Sequence, residues 1–208
     1  MDNSISSEEI ILLNNYVMSE LRAGLALGNI VFLTKNPKFG EKLVWHCSEE
    51  IRHSSIFYQL INKLGIPILN VHLEEKEDYW DYLNKQEDIN YRLALLHARE
   101  LRIPFHFNLH SKVTANIEVK KVLKNLIKEE GPHLIWVRNY LINSMGKEKS
   151  MELFKNALLY ENKYYKEEIK QFGNVPGSKG KELINLINLQ LNNYDNWLLN
   201  DYIKKWFT

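Results

Sequence analysis

Apolar residues recur every three or four positions along most of the chain, the spacing that places them on one face of an α-helix. From Ser6 to about Thr34 the series is Ile10, Leu13, Val17, Leu21, Leu25, Leu27 and Val31, with Ser6 or Ser7 as an N-cap and acidic residues in the first turn. Asn36-Pro37 interrupts it, and a second helix is expected from Phe39 to Leu64, stopped by Gly65-Ile66-Pro67. Residues 68–86 have no clear period and read as a crossover connection. A third helix runs from about Glu87 through Leu101 and toward His110, with Pro104 expected to kink or end it. A fourth covers about Asn116 to Leu141 with Pro132 inside it, and Gly146 follows. Residues 151–172 give a fifth helix, GNVPGSKG a loop, and residues 181–207 a sixth helical segment. With no period-2 alternation, the expected class is all-α: a four-helix bundle over residues 1–145 with a long crossover connection, and a C-terminal helical extension over 146–208 packed on the same domain.

A length of 208 residues suits one such domain, large enough to bury its own core. Lys and Arg number 27 against 26 Asp and Glu, so no overall field draws the chain to nucleic acid or anionic membranes. The N-terminal stretch carries Glu8 and Glu9 before its apolar residues and lacks a basic start, unlike a secretory signal. No apolar run approaches the roughly 20 residues of a membrane span. A cytoplasmic location is therefore expected. The single cysteine, Cys47, excludes a disulfide framework or a Cys-x-x-Cys metal site within the chain. Any electrons required must come from an external donor.

The candidate chemistry lies in two Glu-x-x-His motifs, Glu50–His53 and Glu130–His133. Residues three apart on a helix share a face, so each motif offers a carboxylate and an imidazole to one centre. Glu20 precedes Glu50 by 30 residues, and Glu100 precedes Glu130 by the same interval. From Glu20 to the Pro37 turn is about 22 Å of helix at 1.5 Å per residue, and the return to Glu50 is similar. The second hairpin, turning near Thr114, repeats the arrangement. Two hairpins thus bring one Glu from each of two helices, and one Glu-x-x-His from each of the other two, to a common depth: the ligand inventory of a di-metal carboxylate bundle. Oxygen-rich ligands with one imidazole per metal suit two Fe ions, with Mn/Fe as a variant, better than zinc. The alternative is a metal-free helical interaction protein whose acids pair with Arg22, Arg52, Arg92, Arg99 or Arg138.

The residues around these six leave several roles open. Gly24 and Gly28 follow Glu20 by one and two turns and suit either a substrate cavity or close helix approach. Tyr16, one turn before Glu20, reads as a hydrogen-bond donor behind a ligand, a redox-active phenol or a packing residue. His97, three before Glu100, reads as an additional ligand, a partner of one or a core histidine. His46 and Cys47 read as packing, His46 also as a partner of a ligand. Glu49 and Glu129 point away from the motif faces and suit surface or ion-pair roles.

On these residues the sequence resembles the ferritin-like diiron superfamily over about residues 10–145. The segments SELRAG (19–24), SEEIRHSSIFYQLINKLG (48–65), LALLHARELR (93–102) and KEEGPHLIWVRNYL (128–141) are similar, more distantly, to the tRNA-hydroxylating diiron monooxygenases. Gly131-Pro132 inside the second motif departs from that pattern. The resemblance implies bridging roles for Glu50 and Glu130, terminal roles for Glu20 and Glu100, and O2-dependent oxidation of an organic substrate. A ferroxidase or peroxide-reducing ferritin-like protein is the alternative within the superfamily. A basic face of Lys120, Lys121, Lys124 and Lys128 reads as a solvated helix surface, so a small organic substrate is favoured over RNA. The aromatic extension, with Tyr164, Tyr165, Tyr194, Trp197, Tyr202 and Trp206, could shape a substrate entrance or a homodimer face, or simply cover the bundle.

Overall fold

The computed structural model describes residues 5–69 and 79–172, with side chains to residue 166. The described residues are helical, without strands: α1 (Ser7–Leu33), α2 (Pro37–Lys63), α3 (Tyr79–Lys85), α4 (Ile89–Val113), α5 (Ile117–Met145) and α6 (Lys147–Phe172). The starts are fixed by side-chain caps. Ser6 accepts from the Glu9 N–H, Asn36 from Phe39, Asp88 from Asn90, and Asn116 from both Glu118 and Val119. Pro37 occupies the first turn of α2, where its missing N–H costs nothing. Gly146 ends α5 at φ +83°, a conformation in which a Cβ would be strained, and α6 begins at the next residue.

Cross-helix contacts give the directions. Val17 pairs with Ser54 and Gly28 with Cys47, so α1 and α2 are antiparallel. Lys63 meets Glu118, Arg52 meets Glu129 and Phe39 stacks on Tyr140, so α2 and α5 are antiparallel. Glu9 meets Thr114 and Tyr16 packs on Phe107, so α1 and α4 are antiparallel as well. Helices α2 and α4 therefore run the same way. A groove lined by Leu33, Phe39, Glu87, Asn90 and Tyr140 places the start of α4 at the α1–α2 turn. Helix α6 lies parallel to α4, with His97 on Phe154 and Arg102 bonded to Glu161.

Several expectations change. Helix α4 continues through Pro104 to Val113, so the proline does not end it; the lost N–H bond is outweighed by burial of Phe107, Leu109 and His110 beyond it. The crossover contains a short helix, α3, whose Tyr79 and Leu83 are buried and whose Tyr79 hydroxyl donates to the Leu95 carbonyl. Helix α6 starts at Lys147, four residues ahead of the expected Met151. Helix α1 is long and apolar enough to cross a membrane, where the sequence reading found no such run, but it carries Glu20 and packs its apolar face into the bundle. The loop expected at 173–180 and the segment at 181–207 lie outside the described residues.

The core divides into two apolar clusters along the bundle axis. One contains Leu27, Ile30, Leu43, Leu95, Val137 and Leu141, and the other Leu13, Phe57, Ile61, Phe107 and Leu123. The Glu and His residues of both motifs fall between them.

Candidate metal centre

Glu20 on α1, Glu50 and His53 on α2, Glu100 on α4, and Glu130 and His133 on α5 are each at most 1% exposed. Ligand atoms of Glu20, Glu50, His53 and Glu130 lie within 4.8 Å of one another. The two motifs face each other almost symmetrically. Glu50 Oε1 is 2.9 Å from His133 Nδ1 and Oε2 is 4.0 Å from His53 Nδ1. Glu130 Oε1 is 3.2 Å from His53 Nδ1, and Oε2 is 3.5 Å from His133 Nδ1. Each carboxylate thus lies between both imidazoles, and both imidazoles turn Nδ1 inward. Helix α5 runs unbroken through Gly131-Pro132, so the three-residue spacing still presents Glu130 and His133 together.

Four carboxylates cannot all be charged here without compensation. Burial, reinforced by Glu50, Glu130 and Glu100, raises the Glu20 carboxyl well above its ordinary range. Burial also raises Glu100. Burial pushes Glu50 upward too, but the close imidazoles of His133 and His46 outweigh it and hold that carboxyl well below its ordinary range. Burial pulls His133 down, and Glu130 and Glu50 more than reverse this, raising it to about 10. Even so, Glu20 Oε2, Glu50 Oε2, both oxygens of Glu100 and of Glu130, His53 Nδ1 and both nitrogens of His133 lack a well-directed hydrogen bond. Buried polar atoms left this way cost about 1–3 kcal/mol each. Two divalent cations would neutralise four carboxylates and occupy these atoms, so the donor set fits a metal pair.

Four of the arginines have carboxylate or carbonyl partners outside the six residues. Arg52 bonds Glu49 at 2.7 Å and Glu129 at 2.5 Å, Arg99 and Arg102 meet Glu161, and Arg92 donates to the carbonyls of Gln86 and Asn84.

Three residues outside the six matter more than sequence spacing showed. His46, fully buried, places Nε2 2.9 Å from Glu100 Oε1 and 3.1 Å from Glu50 Oε1. Its atoms also lie within 4.8 Å of those of Glu50 and His133, so distance alone would admit it as a ligand. The Trp136 indole N–H, 3.2 Å from His46 Nδ1, argues against that. Indole only donates, so Nδ1 must be bare and the neutral ring carries its hydrogen on Nε2, aimed at the carboxylates. His46 is thereby a donor that orients Glu50, with Glu100 Oε1 close to the same nitrogen. Its i−4 offset from Glu50 was the available signal; the Trp136 contact comes from another helix and has no signature in spacing.

Glu129 and Glu49, expected at the surface or in ion pairs, flank the site from outside. Glu129 Oε2 is 3.1 Å from His53 Nε2, the nitrogen turned away from the cluster, and Arg52 ties Glu129 to Glu49. A carboxylate on the outer nitrogen fixes an imidazole's tautomer and orientation toward a metal.

The remaining expected residues have definite places. A Cβ on Gly24 would lie 2.8 Å from Ile51 Cγ1 and 3.2 Å from the Cys47 carbonyl, so this glycine lets α1 and α2 approach closely. Gly28 has more room, with Cys47 Sγ at 3.7 Å. His97 packs on Phe154, and burial lowers its pKa to about 3; it joins no group of converging ligand atoms among the described residues. Tyr16 bonds to His110 rather than to a residue of the cluster. Comparison of the chain with protein-family models, curated proteins and solved structures returns no match.

Proposed function

We propose that the protein is a ferritin-like, non-haem diiron oxidase or monooxygenase that uses O2 to oxidise a small organic substrate, with electrons from an external donor. The observation that carries the reading is the convergence of Glu20, Glu50, His53 and Glu130, with His133 against Glu50 and Glu130 and Glu100 joined through His46, all buried between two apolar clusters with inward atoms unsatisfied. The helix directions, with α2 and α4 running the same way across a long connection, support the ferritin-like reading. Glu50 and Glu130, each within 4.0 Å of both His53 and His133, would hold the ions together with those imidazoles. Glu20 and Glu100 would supply the remaining carboxylates.

A reduced iron pair supplies the chemistry of dioxygen reduction. The chain supplies the rest. His53 and His133 each give one nitrogen, keeping the set oxygen-rich and suited to iron, with manganese at one position as a variant. The His46 N–H holds Glu50 in place, and Glu129 holds His53. The apolar clusters on either side keep bulk water from the carboxylates. Anaerobic titration with Fe(II) should show two irons bound per chain, and admission of oxygen should oxidise them. Absence of bound metal would leave the interaction-protein reading, and assembly into a large iron-filled shell would favour storage.

A further inference from the structure

A second polar chain starts one helical turn from Glu20 and is not used by the metal centre. Tyr16 is 6% exposed, its ring 5.1 Å from Phe57 and 5.0 Å from Phe107 between centroids. Its hydroxyl lies 3.2 Å from His110 Nδ1. On the far side of that ring, His110 Nε2 lies 3.0 Å from Glu9 Oε1, and the Thr114 hydroxyl donates to the same oxygen. Burial would raise the Glu9 carboxyl, but bonds from His110 and Thr114 prevail and hold it below its ordinary range, so Glu9 accepts as an anion.

That fixes the direction of the whole chain. A carboxylate at Nε2 requires the imidazole hydrogen there, which leaves Nδ1 bare and makes the phenol the donor. The sequence is Tyr16 O–H to His110 Nδ1, then His110 Nε2–H to Glu9. A hydroxyl, a base and a carboxylate that orients the base are the arrangement used to take a proton from a hydroxyl. In an apolar cage such a device has one evident use. Burial, with Glu9 and Glu20 nearby, raises the Tyr16 pKa, so the phenol does not ionise at rest. Loss of an electron alone would leave an unpaired buried cation, which is strongly unfavourable. Loss of the electron together with the proton avoids it.

We propose that Tyr16 is a redox-active residue, giving one electron to the oxygen-oxidised metal pair as its phenolic proton moves to His110 Nδ1. The inference rests on the metal-centre reading above. The Tyr16 O–H bond breaks, and the proton converts His110 to an imidazolium paired with Glu9. The electron lowers the oxidation level of the metal pair by one, and a neutral tyrosyl radical remains. Four residues of α1 separate Tyr16 from Glu20, about 6 Å along the axis and on the same face. The Phe57 and Phe107 rings shield the phenol from water.

The test is electron paramagnetic resonance on full-length protein loaded anaerobically with iron, exposed to oxygen and frozen within seconds to minutes. Wild type should show an organic radical whose hyperfine pattern narrows when the tyrosines are ring-deuterated. Tyr16→Phe, which keeps its ring between the two phenylalanines, should bind two irons and lose the signal. His110→Gln, which keeps a hydrogen-bonding group but removes the base, should lower the radical yield at least tenfold. Two bound irons that consume oxygen without a radical, or a radical that survives in Tyr16→Phe, would overturn the inference while leaving the metal centre standing. Failure to bind iron would overturn the metal-centre reading, and this one with it.

Discussion

Replacing Glu20 by glutamine separates a metal site from a structural ion cluster, because the two accounts give opposite signs. In the metal-free protein Glu20 is buried beside three other carboxylates, and its carboxyl is pushed well above its ordinary range by burial and by Glu50, Glu130 and Glu100. Folding at neutral pH therefore requires either a buried charge or an added proton. The amide has the same shape, carries no charge, and can donate to Glu50 as the protonated carboxyl does. The variant should be more stable without metal by about 1–3 kcal/mol, the penalty of an ill-satisfied buried polar group. At about 2–4 °C per kcal/mol for a chain of this size, the melting temperature rises by roughly 2–10 °C. The sign follows from linkage: a folded-state pKa raised above the unfolded value weakens the fold as pH rises through that interval. The advantage of the variant should thus vanish below about pH 4, where the carboxyl is protonated in both states, and grow toward neutrality. Calorimetry at several pH values, with and without Fe(II), reads both effects. The same substitution should erase most of the stabilisation that Fe(II) gives wild type. A metal-free variant less stable than wild type, with metal binding intact, would refute the reasoning.

Other substitutions probe individual contacts. Glu129→Gln, which weakens the outer hold on His53 Nε2, should keep both metals but lower affinity about 10–100-fold, read by competition with a chelator. Gly24→Ala should cost about 1–3 kcal/mol because its methyl meets Ile51 and the Cys47 carbonyl, whereas Gly28→Ala should be neutral or stabilising by up to about 1 kcal/mol; denaturant unfolding distinguishes them. His133, raised to about 10 in the metal-free protein, must lose its proton before Nδ1 can bind metal, so affinity should rise between pH 6.5 and 8.5 and binding should release protons to an indicator dye.

The repeated 30-residue interval made the candidate site legible because helix rise is constant: equal lengths out and back bring Glu20 level with Glu50, and Glu100 with Glu130. The Glu-x-x-His spacing needed no tertiary information either. His46 was harder to place, because its role depends on Trp136, ninety residues away on another helix. Glu129 pairs with Arg52 as expected, but its contact with His53 was hidden for a related reason. Its own helix turns it from the cluster, but His53 on α2 presents its outer nitrogen to it. Pro104 read as a kink or early end because local propensity disfavours it, and burial of the following turns carries the helix past it. The Tyr16–His110–Glu9 chain joins residues up to 101 apart, and neither its order nor its direction has a period to read.

Iron stoichiometry tests the central claim most directly. Wild type titrated anaerobically with Fe(II), then exposed to oxygen, should bind two irons per chain and oxidise both, while Glu50→Ala and His133→Ala should lose most of the metal and the oxidation. Wild type that binds no iron, or variants that keep two, would contradict the account.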